Sequence, residues 1–164
     1  MTAQTIERPP ATYARAGKYL TFRLGREEFG IQVRHVREIM GVQDITPVPG
    51  TPAHLKGVIN LRGKIVPVVD LRVRFAFPDA PFAPTTCIVV VQVEQDGELA
   101  LIGLIVDIVC EVLNIAANDI EDPPNFDTRY VLGIAKLKGS VKILLQIEDV
   151  LTLKELRGIE GLAR

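Results

Sequence analysis

Few side chains in this sequence have the type and setting for chemistry, and the most telling is an arginine on a bend. In GVINLRGKIVPVVDLR (57–72), two apolar β-type stretches are joined by NLRG, which places Arg62 on the turn. A hairpin needs only turn residues such as Asn-Gly at that point. An arginine adds a planar fork of donors that matches a carboxylate, which is recognition chemistry and not turnover. The other candidates are sparse. His35 and His54 fall on different predicted elements and read as lone surface histidines. Asp70 and Asp107 sit in apolar stretches and read as strand ends or caps, not as paired acids. Met40 reads as core or groove lining, and Cys87 and Cys110, in apolar surroundings without C-x-x-C spacing, read as buried free thiols. No phosphate-binding G-x-x-x-x-G-K-[ST], no H-E-x-x-H and no G-x-S-x-G is present. The expectation is a protein without enzymatic activity, catalytic residues, metal or cofactor.

Composition narrows the partners. Nineteen Lys and Arg against 20 Asp and Glu leave a net charge of −1, which gives no general attraction to nucleic acid or to anionic membranes. Arg34, Arg37, Arg62, Lys64, Arg72 and Arg74 supply local positive charge. With six Phe, three Tyr and no Trp, however, no strand interleaves exposed aromatics with basic residues as a single-strand stacking platform does. A small β-barrel binding single-stranded nucleic acid or a small ligand is therefore the second reading. The longest apolar run, LALIGLIV (99–106), is too short to cross a bilayer, and the N-terminal stretch lacks an apolar signal core, so a cytoplasmic protein is expected.

The elements that must position Arg62 come from a duplication. GIQVRHVREI (30–39) and GLIVDIVCEV (103–112) share one ungapped pattern, and GVINLRGKIVPVVDL (57–71) and GIAKLKGSVKILLQI (133–147) share another. The offsets are 73 and 76 residues, so two copies of one β-rich unit are expected, with Gly30 matching Gly103 and Gly57 matching Gly133. Arg62 is matched by Lys138, which lacks the fork. FPDAPFAPTT (77–86) reads as the linker. The expected parts are a disordered tail (1–16), a first barrel (17–83), a second barrel (84–147, with strand exchange between the two open) and a C-terminal helix (148–164).

Within each copy, YLTFRL alternates as a half-buried strand and CIVVVQV reads as buried on both faces. Val33, Val36 and Ile39 lie three apart, as do Val106, Val109 and Val112; that spacing predicts short helical turns carrying Glu38 and Glu111 at equivalent places. Pro67 predicts an edge strand or a bulge. The fold class expected is all-β, two similar barrels side by side burying a shared apolar interface.

YLTFRLGREEFGIQVRHVREI, TPAHLKGVINLRGKIVPVVDLR, IGLIVDIVCEVLNI and YVLGIAKLKGSVKILLQIEDVL resemble the CheW family of bacterial chemosensory adaptors, over about residues 17–155. The resemblance implies two five-stranded, SH3-like barrels and a non-catalytic scaffold, recruited to membrane-associated receptor arrays. It would join the regulatory domain of the histidine kinase CheA to the cytoplasmic tips of methyl-accepting chemoreceptors. Since no kinase segment precedes these residues and only a short helix follows, the isolated adaptor is expected over the kinase's own regulatory domain or a receiver-fused relative. The family's receptor-contact groove lies between the barrels, and the matching positions here are Val36, Glu38, Gly57 and Arg62, with Val109 and Val112 on the facing wall. Kinase contacts are expected at the barrel ends away from the groove, with Phe126 as the candidate. The proline-rich, acidic EDPPNFDTRY departs from a plain match.

Overall fold

The computed structural model describes residues 15–78, 80–95, 97–123 and 130–150. Phe126 and residues 151–164 of the expected C-terminal helix lie outside them. Eleven strands follow in order: β1 (Gly17–Leu24), β2 (Glu27–Gln32), β3 (Val36–Gly41), β4 (Leu55–Leu61), β5 (Lys64–Asp70), β6 (Cys87–Gln95), β7 (Glu98–Val106), β8 (Ile108–Ile115), β9 (Ile120–Glu121), β10 (Val131–Leu137) and β11 (Ser140–Leu145). One turn of helix, α1 (Leu71–Arg74), follows β5.

The strands form two sheets, ordered β8-β1-β2-β11-β10-β9 and β3-β6-β7-β5-β4. Each draws on both halves of the sequence: the β1–β2 hairpin joins the second-half strands, and the β6–β7 hairpin joins the first-half strands. The boundary expected at residues 83/84 thus separates the repeats but not the sheets.

The repeat is visible in register. Leu144 of β11 lies beside Gly30 of β2 in a parallel pair, and Val68 of β5 lies beside Gly103 of β7 in the same way. In the antiparallel pairs, Gly57 opposes Val68 and Gly133 opposes Leu144. β9 pairs with Ile134 and Ala135, and its counterpart is a single bridge from Thr46 to Val58. The sheets therefore count six and five strands for the same plan.

Two local expectations change. The three-residue apolar spacing marks bulged strands, not helical turns: beyond a 3-10 turn at Val33–His35, Val36–Gly41 and Ile108–Ile115 are extended. The register slips at Arg37 in β3 and at Cys110 in β8, 73 residues apart, and again at Lys56 in β4 and Leu132 in β10, 76 apart. A bulge inserts one residue, so period two is locally read as three. Pro67, for its part, lies on an interior strand. It opposes Val58, and the parallel ladder to β7 begins only at Val68, so no β7 partner awaits the missing N–H.

Three apolar clusters hold the molecule. One sits within the five-stranded sheet (Ile59, Val66, Val68, Ile88, Val90, Ile105) and one within the other (Tyr19, Ile115, Ile120, Ala135, Leu144). The largest lies between the sheets, where Leu20, Phe22 and Leu24 meet Val89, Val91, Leu104 and Val106. β1 is consequently buried on both faces, not half-buried, because Tyr19 and Thr21 face inward too. Their hydroxyls are spent on carbonyls: Tyr19 donates to Arg15 and Thr21 to Glu111. Arg15, at the end of the expected tail, is buried and bonded to Asp122 and to the Leu132 carbonyl.

Candidate functional site

Arg62 and Gly63 form the two-residue turn of the β4–β5 hairpin, at φ 52° and 88°. Positive φ at both centres is the primed turn whose twist matches the flanking strands, and Asn or Gly is its usual first residue. A long side chain in this left-handed region is uncommon and costs roughly 1–2 kcal/mol. The Asn60 side chain supports the turn by accepting the Gly63 amide at 2.8 Å. Lys138 and Gly139 repeat the geometry at φ 44° and 81°.

The arginine's position is used. Its Nη2 donates to Glu38 Oε1 at 2.5 Å and its Nη1 to Oε2 at 3.4 Å, a two-pronged contact. Glu38 lies on β3 and Arg62 beside β4, the two outer strands of the five-stranded sheet. The sheet therefore curls until its edges meet, and this ion pair fastens the seam. The pair stays accessible, with 72% of the Arg62 side chain and 29% of that of Glu38 exposed. Hydrogen bonding to Arg62 holds the Glu38 carboxyl below its ordinary range, and the same bond raises the guanidinium. In the other sheet no ion pair between Lys138 and Glu111 is present among the described residues; Lys136 instead pairs with Glu121 at 2.8 Å.

The remaining predicted residues separate into three kinds. Val36 and Val109 are half-buried equivalents packed on the flank of the central cluster. Gly57 has φ 145°, and a Cβ there would sit 2.1 Å from the Thr46 carbonyl oxygen, so its absence of side chain is a backbone necessity. Val112 is 54% exposed on β8, and its counterpart Ile39 is 47% exposed beside Glu38. Ile65 and Val141, matched across the repeat next to the two turns, are also exposed apolar residues. These three extra positions were missed because an outward apolar residue on a strand looks like core in the sequence. The structure joins Glu38 to Arg62 directly; Val109 and Val112 stand on the other sheet.

Other candidates resolve into structure. Asp70 caps α1 by accepting the Arg72 amide, and its carboxylate receives the Arg72 guanidinium at 3.1 and 3.0 Å. Arg72 also reaches Asp107 at 3.2 Å and lies under the Phe82 ring. Of the six basic residues that supply local positive charge, Arg72 is only 5% exposed. The histidines are not isolated surface residues. His35 Nδ1 lies 3.3 Å from the Gln92 carbonyl oxygen and its Nε2 3.4 Å from Glu148, while His54 Nε2 lies 3.4 Å from Arg74. Cys87 is half-buried but Cys110, on its bulge, is exposed rather than buried; both are free, and burial pushes the Cys87 thiol up. Among the described residues no group of three His, Cys, Asp or Glu could hold a metal, and no helix is long and apolar enough to cross a membrane.

Fold and site together define a duplicated all-β protein whose distinctive polar feature is an accessible ion pair at a sheet seam. Residues 18–155 match the CheW-like domain family, and the chain belongs to that family. It is 36% identical over 151 residues to the chemotaxis protein CheW of Klebsiella aerogenes, covering 90% of this chain and 89% of that protein. It is 32% identical over 147 residues to the chemotaxis protein CheW of Treponema pallidum, covering 87% and 86%. The crystal structure of the scaffolding protein TtCheW from Thermoanaerobacter tengcongensis superposes with a TM-score of 0.77 at 36% identity, covering 85% of this chain and 95% of that one.

Proposed function

We propose that this chain is a non-catalytic adaptor of bacterial chemosensory arrays, coupling methyl-accepting chemoreceptors to the histidine kinase CheA. The observation that carries the reading is the Arg62–Glu38 pair. A guanidinium held in an unfavourable left-handed turn, mostly in solvent, adds little to stability as a surface ion pair, so the cost is repaid by what it presents. Glu38 fixes the fork's orientation, and its solvent side remains open to a carbonyl or carboxylate of a receptor tip.

In this reading the receptor tip is taken by Val36, Glu38, Gly57 and Arg62, with Val109 and Val112 as the facing wall and Gly57 acting through the backbone shape it permits. The exposed Ile39 beside Glu38 extends the apolar part of that surface. The kinase's regulatory domain is met elsewhere, with Phe126 as its contact. The protein works in the cytoplasm and is carried to receptor arrays by these contacts, with no cofactor, metal or membrane insertion of its own.

Co-sedimentation of the purified protein with receptor tips and kinase tests this. A ternary complex is expected. Retention on an oligonucleotide column without binding to either protein would overturn it.

A further inference from the structure

The chain passes between the two sheets at two repeat-equivalent crossovers: Asp107, which links β7 to β8, and Val33–His35, which links β2 to β3. His35 closes the second crossover, and its ring lies between two acceptors. Nδ1 is 3.3 Å from the Gln92 carbonyl oxygen on β6, and Nε2 is 3.4 Å from Glu148 Oε2. Glu148 belongs to the turn Ile147–Asp149 that follows β11, and this turn sends Ile147 and Val150 into the central cluster. One ring thus stands between the five-stranded sheet and the chain leaving the other.

A carbonyl oxygen only accepts, so the contact to Gln92 requires a proton on Nδ1. A neutral imidazole then carries its lone pair on Nε2, against a carboxylate. Nε2 is buried and makes no hydrogen bond among the described residues, and with 12% of the side chain exposed solvent has little access to the ring. The imidazolium, with a proton on each nitrogen, suits both neighbours at once. The charges on the elements around the ring are balanced: Lys18 on β1, Arg34 on the crossover and Arg37 on β3, against Glu94 on β6 and Glu148 and Asp149 on the turn. Arg34 donates to Gln32, and Arg37 to Gln92 Oε1 and the Arg34 carbonyl, so Glu148 is the carboxylate in ion-pair range of the ring. Its other oxygen, Oε1, accepts from Gln146 at 2.9 Å, which leaves Oε2 to the histidine.

We propose that His35 is a proton-operated staple: protonation draws Glu148 onto Nε2 and fastens the Ile147–Asp149 turn to the β2–β3 crossover. The charged ring makes two bonds and the neutral ring one. The staple is therefore closed at low pH and released as pH rises through the range in which an imidazole gives up its proton. An ordinary carboxylate stays ionised down to about pH 4.3, so both partners are charged below that range. β3, which carries Val36 and Glu38, begins at the next residue, so the staple ties that surface to the turn. At the first crossover the counterpart of His35 is Ile108, which has no proton to exchange, and that crossover serves as an internal reference.

Residue-resolved amide hydrogen exchange of the full chain tests this without any partner. The Val150 amide, bonded to the Ile147 carbonyl, is compared with the Asp107 amide, bonded to the Arg23 carbonyl, after correction for intrinsic rates. From about pH 8 to about pH 5.5, protection of Val150 relative to Asp107 is expected to rise several-fold. A ratio that stays constant or falls overturns the staple. In Glu148→Gln the ratio is expected to be independent of pH. A rise that persists in that folded variant also overturns the proposal, because the ring is then not acting through the carboxylate. If Glu148→Gln does not fold, His35→Gln decides: the ratio should again not change with pH, and an undiminished rise refutes the role of the ring.

Discussion

Arg62 combines a costly backbone conformation with an accessible side chain, and a substitution that keeps charge but removes the fork separates the two. Arg62→Lys is expected to melt as the wild type does, because Lys138 occupies the same turn geometry in the other copy. In a pull-down with receptor tips it should lose on the order of tenfold in affinity or more, with kinase binding retained. Lys138→Ala should change receptor affinity far less. Acid unfolding of wild type against Glu38→Gln gives a second check. Because Glu38 is held below its ordinary range, its contribution is complete above ~4.3 and is lost as pH falls through the lowered folded value. The two curves should therefore differ near neutrality and converge in strong acid, less distinctly at high salt. Gly57→Ala tests shape instead of charge. A methyl 2.1 Å from a backbone oxygen at φ 145° should cost about 3 kcal/mol or more in urea unfolding, and Gly133→Ala, whose φ is ordinary, less.

Among the elements, the short helix after β5 matters more than its length suggests. It places Arg72 between Asp70 and Asp107 and thereby ties the five-stranded sheet to the chain entering the other one. Arg72→Met is expected to destabilise by about 3–5 kcal/mol, since Asp70 would remain buried without its partner. A denaturant midpoint close to wild type would show that the pair is not sustaining the crossover. The bulges at Arg37 and Cys110 act in a similar structural sense: both sit in the strand that leaves a crossover, where an inserted residue bends the edge strand round its sheet.

At the scale of the molecule, the exchange of hairpins means that neither half contains a complete sheet. A 17–83 fragment holds β1 and β2 without β8 and β11, and leaves β5 without β7. It is expected to give poorly dispersed NMR spectra alone and to gain native dispersion when mixed with 84–155. Independent folding of either fragment would mean that the sheets do not depend on the exchange. The central cluster argues against that outcome, because Leu20, Phe22 and Leu24 are covered by strands from the other sheet.

What the sequence by itself determined was the repeat, and with it the β class, the matched turns at Arg62 and Lys138 and the absence of recognisable catalytic motifs. These are local properties: apolar alternation, turn chemistry and ungapped self-similarity survive without knowledge of neighbours. Arg62 stood out on its turn for the same reason, whereas Glu38 entered as a candidate only through the family resemblance. Tertiary structure decided the rest. Only pairing shows that β1–β2 and β6–β7 changed places, since a hairpin's sequence does not specify which sheet receives it. The three-residue valine spacing fitted a helix until the register showed a bulge, because both place the same residues on one side. That Arg72 is enclosed by two aspartates 35 residues or fewer away was not legible, because burial of a charge depends on partners that composition cannot locate.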